Sequence, residues 1–471
     1  MEFDQKYPVL KDHIVAVKIK TPKKTTFLIY DNITGRKKFS NEKIFNFLDL
    51  ATGKLTFKEI SNKLYKKTGM SQKKAFSELY NLINPLIIEG VLFLSQSPHP
   101  RSAPSSITAV HHLQNIYFEL TRKCNLSCEH CYTENSSPRE DELTLEEIYT
   151  LIDQMARIGV LSITLTGGEP LLHPYIFNIM KYAREKHLSI LLFTNGTQII
   201  PRVAKKLQNI PVYKVAVSVD GADAHTHDTI RGVEGAFQKT LRAIILLKNF
   251  DITIQVNICL SRTNYHQFED MLFLMKHLGV TEFHVRPVTF TGRNASLSGG
   301  NTLQSGKNAD DLFITPVEYL EAIRMLHDFQ IRELHQEEKR EVVYSSQEYN
   351  CGVGRSSLTV QSDGTIIPCP FFGQETALGS IREHSLLNIW NDSPLLNSLR
   401  SVNVFETHPC KDCQFAGLCK GGCIGEIYRR TGRISCYDPY SCAFYQASKQ
   451  DIDSKELDEL PPKKKLSPPF V

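Results

Sequence analysis

Residues 115–132 read NIYFELTRKCNLSCEHCY, an apolar strand signal from Ile116 to Leu120 that runs into a loop carrying Cys124, Cys128 and Cys131. Three thiolates so close in sequence can hold three irons of a [4Fe-4S] cluster and leave the fourth iron open to an outside ligand. A structural zinc site would need a fourth ligand, and the candidate, His130, sits directly beside Cys131, where reaching the same ion is strained. This stretch decides the fold because it is the first of a series. Further short apolar runs lie at Ser162 to Thr166, Ile190 to Phe193, Lys214 to Val219, Ile252 to Ile258 and Glu282 to Val288. Helical patterns stand between them at about 144–158, 175–186, 201–208, 235–249 and 265–278. Six βα repeats of this size predict an α/β fold, a parallel sheet curled into a partial (β/α)6 barrel with its active groups at the C-terminal ends of the strands.

The chain around this core has 471 residues, room for two to four domains, and its 41% hydrophobic residues suffice for sizeable cores. Lys and Arg number 55 against 51 Asp and Glu, and the net charge of +4 exerts no strong pull toward nucleic acid or anionic membrane. The first residues, MEFDQKYPVLKDH, contain no apolar signal segment, and no run approaches a membrane span. The expectation is a cytoplasmic protein without a membrane span. In that reducing setting its twelve cysteines are metal ligands or catalytic groups rather than disulfides. None of them precedes Cys124.

Upstream, Ile14 to Ile19, Thr26 to Tyr30 and Lys37 to Ser40 alternate apolar and polar, which predicts a three-stranded antiparallel unit. Helices are expected at Asn41 to Leu50, Thr56 to Lys67 and Ser71 to Gly90, the last kinked or split by Pro85. This makes residues 1–96 a winged-helix-like N-terminal domain. Its basic strand region (Lys18, Lys20, Lys23, Lys24, Arg36, Lys37) reads as solvated surface rather than a nucleic-acid site. Residues 97–113, rich in Ser and Pro at their start, are expected to be a linker and 114–335 the barrel. Residues 290–315 are too polar and Gly-rich for an ordinary connection, so they are either a functional loop or a disordered insert. Residues 345–450 hold the remaining cysteines with little periodicity, which suggests a segment held by metal, and 451–471 a mobile tail.

The loop Cys124-x3-Cys128-x2-Cys131 followed by Tyr132 resembles the signature of the radical S-adenosylmethionine (SAM) superfamily, and Gly167-Gly168-Glu169-Pro170 resembles that family's GGEP motif. The resemblance implies that Cys124, Cys128 and Cys131 carry the SAM-binding [4Fe-4S] cluster. It places His130 and Tyr132 beside SAM, with Gly167 and Gly168 against its methionine moiety and Glu169 accepting from its ammonium. Asn195, Ser218, Asp220 and Arg286, at later strand ends, would contact its ribose or carboxylate. The plainer readings are helix caps and turns for Asn195 and Ser218, an Asp228–Arg231 pair, and a small buried apolar residue for Cys259.

Cys351, Cys369, Cys410, Cys413, Cys419 and Cys423 follow an order similar to the SPASM extension, and Cys436 and Cys442 complete eight cysteines, enough for two fully ligated auxiliary [4Fe-4S] clusters. By resemblance Cys410, Cys413 and Cys419 share one cluster with a later cysteine, and Cys351, Cys369 and Cys423 share the other; the places of Cys436 and Cys442 stay open. Two four-cysteine zinc sites use the same grammar. In this setting the N-terminal domain resembles the PqqD-like precursor-recognition element. The whole layout is most like the subtilosin-type sactisynthases, which join a cysteine sulfur to an α-carbon of a ribosomally made precursor peptide. That resemblance implies reductive cleavage of SAM to a 5'-deoxyadenosyl radical, hydrogen abstraction from the peptide, and a flavodoxin- or ferredoxin-type electron donor. The same architecture serves makers of carbon–carbon or β/γ-carbon thioether crosslinks and epimerases. A zinc-binding winged-helix regulator is the rival from another class.

Overall fold

The computed structural model describes residues 3–21, 24–66, 69–100, 105–108, 111–133, 138–299, 308–335, 351–406, 409–413, 415–419 and 421–446. The expected tail, residues 336–350 and parts of the expected linker and of the 290–315 loop lie outside them.

The N-terminal part holds β1 (Tyr7–Leu10), β2 (Ile14–Lys20), β3 (Thr25–Asp31), β4 (Lys37–Ser40), α1 (Glu42–Leu50), α2 (Phe57–Tyr65), α3 (Gln72–Ile88), β5 (Leu92–Ser95) and β6 (Ser105–Thr108). The three expected strands pair antiparallel as β4-β3-β2, but the sheet does not stop there. β6 adds to β2 in parallel, so part of the Ser/Pro stretch read as a linker is an edge strand, and β1 pairs separately with β5. α2 opens on a reciprocal cap between Thr56 and Glu59. α3 passes Pro85 as one helix, so the proline does not split it; burial of Ile83 and Leu86 offsets the hydrogen bond that proline removes near the helix end.

The barrel runs β7 (Asn115–Thr121), α4 (Leu145–Arg157), β8 (Ser162–Gly167), α5 (Ile176–Glu185), β9 (Ser189–Thr194), α6 (Pro201–Asn209), β10 (Lys214–Ser218), α7 (Ala224–Arg231), α8 (Ala236–Asn249), β11 (Ile254–Leu260), α9 (Phe268–His277) and β12 (Phe283–Pro287). These six strands are parallel and adjacent in chain order. α4 shows why the helices form and pack. Thr144 and Glu147 cap it reciprocally, and Ile148, Leu151, Ile152 and Met155, spaced for one face, are fully buried. α7 was not among the expected helices, although Asp223 caps its start and Gly232 ends it in the left-handed conformation.

After α10 (Ala309–Leu312) and α11 (Pro316–Arg332) the chain returns to the sheet. β13 (Ser357–Val360) lies parallel to β7, and β14 (Thr365–Ile367) and β15 (Gly379–Ser380) follow antiparallel, giving the order β12-β11-β10-β9-β8-β7-β13-β14-β15. α12 (Leu386–Asp392), α13 (Pro394–Ser401), α14 (Ala416–Cys419), α15 (Ile424–Thr431) and α16 (Pro439–Gln446) complete the fold. This C-terminal segment, expected to depend on metal alone, also buries Leu386, Trp390, Leu396 and Leu399 in the barrel's own core. The Trp390 indole donates to the His111 carbonyl at 2.8 Å.

The N-terminal sheet docks at the end of the barrel where strands begin. Leu161, just before β8, joins Val17, Ile19, Leu28 and Tyr30 in a small shared core. Buried Asn32 donates to the His187 carbonyl at 3.0 Å and accepts from Arg184 at 2.8 Å, both just ahead of β9. The opposite end, where strands finish, carries the cysteine loop.

Candidate functional site

β7 ends and the chain turns at once into the Cys124–Cys131 loop, which is fastened from three directions. From α7, the Arg231 and Ile230 carbonyls accept from the Ser127 and Glu129 amides at 3.0 and 2.9 Å. From the 290–299 stretch, the Arg293 amide donates to the Cys131 carbonyl at 3.0 Å and its guanidinium to the Cys128 carbonyl. From the end of β8, the Gly168 amide donates to the Thr121 carbonyl at 2.7 Å and that of Glu169 to Lys123 at 2.9 Å. A Cβ at Gly168 would stand 2.2 Å from the Lys123 oxygen, and one at Gly167, where φ is +121°, 2.4 Å from the Thr121 oxygen. The two glycines thus make room for the root of the cysteine loop.

Glu169 is fully buried. Its carboxylate accepts from the Thr194 hydroxyl at 2.8 Å, the Asn195 amide at 2.8 Å and the Leu171 amide at 3.1 Å, while burial lifts its carboxyl to about 7. Asn195 is both the turn residue of the plainer reading and a tie to the loop. Its side-chain oxygen accepts from the Thr197 amide, and its amide donates to the Asn125 side chain at 3.1 Å. Ser218 ends β10 half-buried on the interior side.

Asp220 is buried and ion-paired. It pairs with Arg231 at 2.7 Å and His130 at 3.0 Å and accepts from the Cys259 amide at 2.9 Å. Although burial opposes its charge, the Arg231 and His130 cations hold its carboxyl well below the usual range. Arg231 also reaches the Cys128 sulfur at 3.7 Å. Arg231 therefore pairs with Asp220, whereas Asp228 caps α8 through the Gly235 and Phe237 amides. His130 is turned to Asp220 and Cys259, so Cys259 belongs to a polar cluster instead of acting as a plain apolar residue. Tyr132 reaches across to share a 3.0 Å hydrogen bond with the Thr166 hydroxyl on the barrel's inner wall.

Arg286 stands apart from this group. Its guanidinium reaches the Cys423 sulfur at 3.6 Å and lies 4.6 Å over the Phe371 ring. Cys351, Cys369 and Cys423 share one neighbourhood, close enough to act electrostatically on each other and on the inward-facing Tyr117. Cys410, Cys413, Cys419 and Cys442 line a second pocket with Val404, Phe415 and Ala416. Cys436 lies near Cys410 but is not part of that lining. Sequence reasoning also missed Glu119, Asn125 and Arg293. Only Glu119, a lone charge in an apolar strand, carried a signal.

The chain matches the radical SAM superfamily over residues 118–275 and the SPASM iron–sulfur cluster-binding domain over residues 351–414. An AdoMet-dependent heme synthase of Methanosarcina barkeri is 31% identical over 349 residues, covering 69% of this chain and 95% of that one. The antilisterial bacteriocin subtilosin biosynthesis protein AlbA of Bacillus subtilis is 31% identical over 315 residues, covering 65% and 66%. Among solved structures, Streptococcus suis SuiB bound to its precursor peptide SuiA superposes with a TM-score of 0.65 at 15% identity, covering 92% of this chain and 99% of that one, which shows a shared fold. The chain belongs to the radical SAM superfamily and carries a SPASM domain.

The radical SAM domain binds SAM and a [4Fe-4S] cluster, and the SPASM domain binds auxiliary iron–sulfur clusters. The thiols fit such groups. Burial pushes Cys124 and Cys410 up to about 11 and Cys419 and Cys423 to about 12, so grouped thiols this buried ionise only against a positive body such as a metal cluster. Among the described residues no helix is long and apolar enough to cross a membrane.

Proposed function

We propose that this chain matures a ribosomally made precursor peptide by joining a cysteine sulfur to an α-carbon. The observation that carries this reading is the unequal division of the SPASM thiols. All twelve cysteines are described, and Cys351, Cys369 and Cys423 have no fourth cysteine beside them, because Cys259 sits with His130 and Cys436 near Cys410. A cubane held by three protein thiols keeps one iron position for an outside ligand, and a peptide thiolate is the natural occupant.

In this reading Cys124, Cys128 and Cys131 hold the SAM-binding cluster, with Glu169, Asn195 and Ser218 at neighbouring strand ends toward SAM. Cys410, Cys413, Cys419 and Cys442 hold the fully ligated auxiliary cluster. When bound, the cofactors supply a one-electron reductive cleavage of SAM, which creates the hydrogen-abstracting species, and a sink for the surplus electron. The chain's residues bury and orient these groups. Arg231 and Arg293 fix the loop of the first cluster, while Arg286 lies against Cys423 of the open one.

Residues 1–96 are assigned to peptide recognition, 97–113 to a connecting segment, 114–335 to the radical SAM barrel and 345–450 to the SPASM domain. Among the described residues β4 pairs only with β3, which leaves its outer edge to an added strand, and Phe39 on it is 74% exposed. The test is co-expression with a Cys-bearing precursor under low oxygen, followed by mass spectrometry with and without thiol alkylation. Loss of two hydrogens for each cysteine that no longer alkylates, with fragmentation placing the bridge at an α-carbon, is the expected result. The same loss with every cysteine still alkylatable points to another oxidation, such as a carbon–carbon crosslink.

A second reading, heme formation, is favoured by the heme synthase alignment, which takes in 95% of that relative. It leaves 31% of this chain without a counterpart, whereas the SuiB superposition spans 92% of it. Heme formed from a supplied porphyrin precursor would favour this second reading.

A further inference from the structure

Glu119 stands in the most apolar part of β7, where a carboxyl is costly to bury. Ile116, Phe118 and Leu120 point into the packed core, so Tyr117, Glu119 and Thr121 face the barrel interior. Glu119 is 3% exposed. It lies in register with Thr166 of β8. On its other side Val360 of β13 pairs with Phe118, which brings Gln361 alongside. A long 3.5 Å contact from the Gln361 amide reaches its Oε2. Its Oε1 has no hydrogen-bond partner among the described residues, and neither have Gln361 Oε1 and Thr359 Oγ1 on the adjoining strand. Orphaned, buried polar atoms on two neighbouring strands mark a place built for a polar ligand. The place is also central. Tyr132 closes it from the SAM-cluster loop, and Tyr117, about 6.6 Å back along β7, is in the electrostatic reach of Cys351, Cys369 and Cys423.

We propose that Glu119 is a catalytic base that takes the proton of the substrate cysteine thiol through its unpartnered Oε1. The role rests on the thioether reading above. In the full step the S–H and Cα–H bonds of the peptide break and one S–Cα bond forms. The thiol proton goes to Glu119 and the Cα hydrogen atom to the adenosyl fragment of reductively cleaved SAM. The electron left when thiolate meets carbon radical goes to an oxidised auxiliary cluster. The charged and titratable groups around Glu119 are Arg122, Asp363 and Tyr132; burial outweighs Arg122 and lifts the carboxyl to about 7, close to where a base working at neutral pH is most effective. Crosslinking should therefore rise with pH through about 7 as the carboxylate forms.

The test compares holoenzyme of wild type, Glu119→Gln and Glu119→Asp with a Cys-bearing precursor, following thioether formation by mass spectrometry across that pH range. Iron content and cluster EPR spectra establish that each variant is intact, and infrared titration reads the Glu119 carboxyl itself. The expected result is a roughly 100-fold or greater slowing in Glu119→Gln with loss of the inflection near 7. Glu119→Asp should keep an inflection and part of the rate, and the wild-type-minus-Glu119→Gln difference spectrum should hold one carboxyl band titrating near 7, the band of Glu169 being common to both proteins and cancelling. Wild-type thioether formation with an unaffected Glu119→Gln rate overturns the role of Glu119 alone. Absence of thioether in wild type overturns the reading on which it rests.

Discussion

Cys436 and Cys442 lie in one short stretch, yet only Cys442 lines the pocket of Cys410, Cys413 and Cys419. Cys442→Ala should lower the iron of the reconstituted protein from about twelve to about eight atoms per chain, while Cys436→Ser keeps about twelve, as counted by iron and acid-labile sulfide assay. Cys128→Ala should abolish SAM cleavage, measured as 5'-deoxyadenosine formed under reducing conditions. At Gly168 even a methyl group is too much. Gly168→Ala places a carbon against the Lys123 carbonyl, and about 1–3 kcal/mol of destabilisation is expected, with loss of iron from the Cys124–Cys131 loop, read by thermal unfolding and EPR. The cysteine triplet was legible in sequence because its spacing is local. The choice between Cys436 and Cys442, and the turning of Arg286 to Cys423, depend on how distant segments meet, and spacing carries no record of that.

At the scale of elements, all six strand positions of the barrel were legible because each is a short apolar run between amphipathic helices, and the structure moves their ends by only a residue or two. What escaped was short or borrowed. β6 forms only by lying beside β2, and α7 has few apolar residues of its own to betray it. The docking of the N-terminal sheet on the barrel was equally hidden, since it turns on buried Asn32 held between Arg184 and the His187 carbonyl. Asn32→Ala removes the side-chain bonds to the His187 carbonyl and to Arg184, leaving the Arg184 bond to the residue-32 backbone carbonyl, and should cost about 1–3 kcal/mol, with faster proteolytic cutting between the N-terminal part and the barrel as the measured outcome.

At the scale of the molecule, the open edge of β4 belongs to a sheet that sits at the start of the barrel strands, and the cysteine loop sits at their end. A strand of this length spans about 20 Å, so a peptide bound at β4 needs at least about six extended residues between its recognition segment and the residues to be modified. Shortening that spacer below this length should abolish modification without weakening binding, and lengthening it with Gly-Ser residues should be tolerated. Mass spectrometry and fluorescence anisotropy on the same peptides separate the two effects.

In the proposed reaction the three-thiol site of Cys351, Cys369 and Cys423 accepts the sulfur of the substrate. This is tested most directly by EPR of the reduced Cys124→Ala, Cys128→Ala, Cys131→Ala protein, which retains only its auxiliary clusters, with a Cys-bearing precursor and with its Cys→Ser counterpart. The cysteine peptide alone is expected to change the auxiliary-cluster spectrum. An unchanged spectrum with a peptide shown to be bound would contradict it.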